Sequence, residues 1–111
     1  EGTELYGKTA GVIGFGRIGR EVARRELALG MDVVYFDIVD VKSDLAAKQV
    51  TLDELLKKAD YISMHLPKTE KTTNMISTRE FGLMKPNAVL INVARGGTVD
   101  EAALLEALNG G

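Results

Sequence analysis

At 111 residues, with 45% hydrophobic and 27% charged side chains, the chain has the make-up of one soluble domain large enough to bury a core. A formal net charge of −2 with no basic run speaks against a nucleic-acid partner, and the absence of cysteine removes disulfides and thiolate metal sites. No apolar stretch nears the length of a membrane span and no signal peptide opens the chain, so no membrane partner is expected and a cytoplasmic location is. Opening on Glu1 rather than Met, the sequence reads as a piece of something longer.

Strand-like and helix-like segments alternate along the chain. Glu1 to Gly7 is a lead-in expected to dock Leu5 and Tyr6 on the sheet, and Lys8 to Phe15 is the first strand. Arg17 to Leu29 is a helix with Gly30 as its stop. Asp32 to Asp37 is a second strand, apolar on both faces as a doubly covered sheet requires. Ile38 to Val50 has no clear period and reads as an irregular connection. Leu52 to Ala59 is a short helix, and Asp60 to Leu66 is a third strand stopped by Pro67. A polar loop to Asn74 leads to a helix over Thr78 to Met84, a fourth strand over Ala88 to Val93, and a last helix over Val99 to Leu108. Thr51/Glu54, Ser77/Glu80 and Thr98/Glu101 have capping-box spacing and support the three helix starts.

The expected fold is α/β: a Rossmann-like three-layer α/β/α arrangement spanning 1–111, with about four parallel strands in the order 3-2-1-4. One residue resists this pattern. Glu26 falls on the face of the first helix that carries Ile18, Val22 and Leu29. A carboxylate there is costly unless it is paired or wet, so it is expected at the rim of the stripe, near Arg24 or Arg25, rather than buried.

The most informative stretch joins the first strand to the first helix: Gly14-Phe15-Gly16-Arg17-Ile18-Gly19. Gly14 permits the tight turn, Gly16 lets backbone come close to a pyrophosphate, and Gly19 lets helix and strand pack closely. The helix start adds free N–H groups and a positive dipole end. Such a motif alone also fits a turn that only packs. Here Asp37 ends the next strand, 18 residues past Gly19, where a carboxylate can grip a ribose hydroxyl. The combination points to a dinucleotide. Arg95, between a buried strand and Gly96-Gly97, sits at a carboxyl end of the sheet where ligands bind. The bland alternative is a surface arginine that caps a helix or pairs with Asp100.

Glu4-Leu-Tyr-Gly-Lys-Thr-Ala-Gly-Val-Ile-Gly-Phe-Gly-Arg-Ile-Gly-Arg-Glu-Val-Ala23, His65-Leu-Pro67, Leu83-Met-Lys-Pro86 and Asn92-Val-Ala-Arg-Gly-Gly-Thr-Val-Asp-Glu101 together resemble the nucleotide-binding domain of the D-2-hydroxyacid dehydrogenases, most of all their phosphoglycerate dehydrogenase-like members. The likeness runs over nearly the whole chain, and the Asn-Val-Ala-Arg-Gly-Gly segment is far more specific than the glycine motif. It implies NAD as cofactor and hydride transfer between NAD and a 2-hydroxy or 2-oxo acid. It gives Arg95 the substrate carboxylate, a role suited to a planar, permanently charged guanidinium. It places backbone at Arg17 and Ile18 by the pyrophosphate, Leu66 and Pro67 by the adenine ribose, and Val93 and Ala94 by the nicotinamide. Asp37 is expected to favour NAD, because a 2′-phosphate would bring like charges together. His65 matches a family histidine that lies beside the cofactor and is not the proton carrier.

The family's catalytic histidine, and the glutamate that orients it, would follow a further strand beyond the last helix. This sequence has neither, nor the flanking substrate domain. The expectation is therefore a nucleotide-binding portion that holds cofactor without turnover, the acid substrate engaging only the full-length parent. The alternative is a free-standing or engineered α/β module with a structural or association role. Without a neighbour, the fourth strand would be an open apolar edge, which favours a homodimer through that strand and the last helix.

Overall fold

The computed structural model describes residues 5–66 and 78–92. Among them, five parallel strands form one sheet: β1 (Thr9–Ile13), β2 (Asp32–Phe36), β3 (Ala47–Gln49), β4 (Tyr61–Met64) and β5 (Val89–Asn92). Their order is β3-β2-β1-β4-β5. Helix α1 (Arg17–Ala28) joins β1 to β2, α2 (Leu52–Lys58) joins β3 to β4, and α3 (Thr78–Leu83) precedes β5. The parallel α/β sheet with 3-2-1-4 at its core is as expected, but the strands that fill two of the places are not. Ala47–Gln49, within the stretch expected to be an irregular connection, takes the place beside β2. The strand expected there, Tyr61–Met64, is therefore fourth and pairs with β1, and Val89–Asn92 is fifth and pairs with β4 rather than with β1.

Both faces of the sheet centre are covered, which is why β1 and β2 carry apolar residues at consecutive positions. Ala10, Val12, Val33 and Tyr35 meet Ala23 of α1 and Leu5 of the lead-in on one face. On the other, Ile13, Val34 and Ile62 meet Leu55 and Leu56 of α2. Gly11 sets how close α2 comes, since a Cβ there would stand 2.5 Å from Leu55 Cδ2 and 3.0 Å from Ala59 Cβ.

Each helix end has a local cause. Thr51 and Glu54 form the expected capping box: the Glu54 N–H donates to Thr51 Oγ1 at 3.1 Å, and the Thr51 N–H to Glu54 Oε1 at 3.0 Å. At the end of α1 the Gly30 N–H donates to Leu27 O and the Met31 N–H to Glu26 O, a Schellman pattern that Gly30 permits with φ +85°. Asp60 ties the lower rim of the sheet, accepting from the Thr9 N–H at 2.9 Å and from Lys85 Nζ at 3.1 Å. These bonds hold its carboxyl below the usual range, the Thr9 N–H most strongly. The boxes that begin at Ser77 and Thr98, and the helix expected over 99–108, lie outside the described residues.

Two expectations need correction. Leu5 is buried, but Tyr6 is 74% exposed, its ring lying over Gly30 instead of against the sheet. Glu26 is not at a rim: it is 4% exposed, and its Oε1 has no hydrogen-bond partner among the described residues. The arginines expected to help it turn to another carboxylate, because Arg24 and Arg25 both pair with Glu21 one turn earlier on the outer face. Burial pushes the Glu26 carboxyl up to about 8.

Candidate functional site

The carboxyl ends of β1, β2 and β4 converge where the strand order reverses, with β2 on one side of β1 and β4 on the other. Backbone bonds stitch the three ends together. The Gly14 N–H donates to Phe36 O at 2.7 Å and the His65 N–H to Ile13 O at 2.7 Å. Gly14 turns the chain off β1 with φ +95°, and a Cβ there would press to 2.8 Å from the Leu66 nitrogen. Only glycine meets both demands.

The other two glycines of the motif differ from each other. A Cβ on Gly19 would fall 2.1 Å from Gly14 O, so Gly19 is what lets α1 begin against the end of β1. At Gly16 a Cβ would meet no atom of the described residues within 4 Å. Gly16 is exposed and stands at the N-cap of α1, where no side chain among the described residues caps the helix and no acidic residue occupies the first turn. The first amides of a 12-residue helix are thus offered to open space, with the positive end of the dipole behind them. Arg17 is exposed and Ile18 half-buried at this start. The arrangement can receive a diphosphate at backbone distance.

Asp37 stands one residue beyond β2, and its carboxylate is fastened rather than free. Oδ2 accepts the Phe15 N–H at 2.8 Å, from inside the glycine turn, and Oδ1 accepts the Val39 N–H at 3.2 Å. Each oxygen keeps a lone pair for another donor, the pattern that two adjacent hydroxyls would satisfy. Leu66, buried at the end of β4, closes the opposite wall beside Gly14. The structure therefore brings Gly14, Gly16, Arg17, Ile18, Gly19, Asp37 and Leu66 to one crevice. Pro67, Val93, Ala94 and Arg95 lie outside the described residues.

His65 adjoins the crevice with both ring nitrogens buried and unpartnered among the described residues. Burial lowers its pKa to about 4, so the ring is neutral near pH 7 and poorly matched to carrying protons there. Among the described residues no group of three or more His, Cys, Asp or Glu side chains could hold a metal ion, and no helix is long and apolar enough to cross a membrane. The sequence motifs gave no sign of Phe15 and Tyr35. Their rings stack 3.7 Å apart beneath the glycine turn, and only the aromatic residue between the first two glycines hints at it.

Known proteins agree with this geometry. Residues 1–111 match the family model described as D-isomer specific 2-hydroxyacid dehydrogenase, NAD binding domain. A hydroxypyruvate reductase of Thermotoga maritima is 48% identical over 106 residues, 96% of this chain and 35% of that protein. A D-3-phosphoglycerate dehydrogenase of Methanocaldococcus jannaschii is 47% identical over all of this chain and 22% of its own length. Among solved structures, D-lactate dehydrogenase with NAD+ from Lactobacillus jensenii is 44% identical with a TM-score of 0.78, covering 96% of this chain and 33% of that one. The chain thus spans about a third or less of the length of these relatives. Over that span it belongs to the D-isomer specific 2-hydroxyacid dehydrogenases, as their NAD-binding domain.

Proposed function

We propose that Gly14, Gly16, Arg17, Ile18, Gly19, Asp37, Leu66, Pro67, Val93 and Ala94 hold NAD. The diphosphate lies on the α1 amides, the adenine ribose on Asp37, and the nicotinamide by Val93 and Ala94. The observation that carries this reading is the open, uncapped helix start at Gly16 facing a carboxylate whose two oxygens are already aimed by backbone donors. Bound NAD would supply the site that takes up or releases hydride. In the parent enzyme Arg95 grips the carboxylate of a 2-hydroxy or 2-oxo acid through its planar fork and polarises the neighbouring oxygen. Arg95 cannot act as the proton donor, because a guanidinium does not release its proton near neutrality.

These 111 residues by themselves bind cofactor without turnover. Reduction of a ketone needs a proton donor at its oxygen, and the single histidine of the sequence is buried with a depressed pKa. The reading includes a cytoplasmic setting, which suits a cysteine-free chain. It also includes pairing of two copies through β5 and the 99–108 segment. Among the described residues β5 has β4 as its only strand partner, and Val89 on it is 42% exposed. Titration with NAD and NADP tests the cofactor assignment: Asp37→Ala should weaken NAD and narrow its advantage over NADP. Equal affinities of wild type and variant for both cofactors would contradict it.

A further inference from the structure

The two backbone groups that aim the Asp37 carboxylate belong to different segments, the glycine turn and the loop after β2. One side chain holds both. The Tyr35 ring, 4% exposed, stacks on the Phe15 ring with 3.7 Å between centroids and 12° between planes. Its hydroxyl donates to the Val41 carbonyl at 2.6 Å. Phe15 supplies the N–H on Asp37 Oδ2, and Val39, two residues before Val41, supplies the N–H on Oδ1. Gln49 of β3 secures the same loop from its far side: Oε1 accepts the Val41 N–H at 3.1 Å, and Nε2 donates to Val39 O at 3.0 Å.

A carboxylate reads two adjacent hydroxyls only if its plane is fixed, since a free rotor gives up that geometric match on binding. We propose that Tyr35 is a positioning residue of the nucleotide site, holding both backbone donors that aim the Asp37 carboxylate at the paired hydroxyls of a ribose. The proposal rests on the reading of Asp37 as the ribose ligand. It assigns Tyr35 to the adenosine half of the cofactor, which it does not touch. Phe15 and Gln49 act through the same two segments, so the site is braced from below by an aromatic stack and from the side by β3.

Tyr35→Phe keeps the stack and removes only the hydroxyl. Calorimetric titration, well below the melting temperature of every variant, should show NAD and ADP-ribose both weakened about three- to tenfold, the loss expected of one hydrogen bond. In an Asp37→Ala background the same substitution should change neither affinity, because Tyr35 acts through that carboxylate. Gln49→Leu, which frees the loop from β3, should repeat the pattern if Tyr35→Phe folds poorly. A melting temperature lowered with affinities unchanged would mean a purely structural role and overturn the proposal. So would an equal loss of affinity with and without Asp37. A wild-type chain that binds NAD while Asp37→Ala binds it equally well would remove the ribose reading itself, and the proposal with it.

Discussion

Gly16 and Gly19 stand three residues apart in one turn and ought to respond to alanine in opposite ways. At Gly19 the added Cβ would fall 2.1 Å from Gly14 O, a backbone atom that cannot swing aside, so Gly19→Ala should destabilise the fold by about 1–3 kcal/mol in urea melts. At Gly16 the backbone is extended, with φ −85°, and no atom of the described residues lies within 4 Å of the new methyl. Gly16→Ala should leave stability within about 0.5 kcal/mol of wild type yet weaken NAD, because the methyl occupies the space a diphosphate needs. Loss of stability at Gly16 without loss of binding would mean that the opening serves folding alone. Glu26 makes a second residue-scale case. Its carboxyl loses its proton near 4.5 when unfolded and only near 8 when folded. Between those values the folded chain holds the extra proton, so stability falls as pH rises. The loss by pH 8 is on the order of a few kcal/mol. Denaturant melts at pH 5 and pH 8 should show wild type losing stability relative to Glu26→Gln as pH rises; parallel profiles would place the carboxyl in water. That difference cancels the opposite trend of buried His65, whose lowered pKa favours the folded chain as pH rises to the ordinary imidazole range. Asp60 titrates in the opposite sense, its contribution being lost only as pH falls below the ordinary carboxylate range, so the two effects separate.

At the scale of elements, α2 is the helix with the clearest local signal. Thr51→Ala removes the acceptor for the Glu54 N–H and should cost about 1 kcal/mol, read as a shifted urea midpoint with an unchanged slope. An unchanged midpoint would mean that packing of Leu55 and Leu56 alone starts the helix. The capping box, the glycine turn, the apolar strands and Asp37 at the end of β2 were all legible in the sequence because each is written in neighbouring residues. β3 was not. Ala47-Lys48-Gln49 is too short to show a period, and it exists because β2 offers an edge and Gln49 finds Val39 and Val41. Glu26 shows the same limit. Helical spacing placed it on the inward stripe, but whether it lay at the rim or beneath the helix depended on where α1 rests across β1 and β2. The brace of Phe15 and Tyr35 joins residues 20 apart, a pairing that no local pattern encodes.

At the scale of the whole molecule, the sheet brings three strand ends to one crevice and leaves β5 with β4 as its only strand partner among the described residues. Two consequences can be weighed directly. Mixed with NADH and a 2-oxo acid, these 111 residues should give no turnover above background; turnover would make His65 the first suspect as proton donor. Sedimentation at rising concentration should show a two-fold dimer, whereas a monomer throughout would show that β5 is protected by other means. The central claim, that the crevice is a nucleotide site organised by the glycine turn and Asp37, is tested most directly by following backbone amide NMR signals during titration with NAD. The account predicts saturable shifts concentrated at Gly14 to Gly19 and at Asp37 to Val39, weakened in Asp37→Ala. Saturable shifts elsewhere, or none at the glycine turn at millimolar NAD, would contradict it.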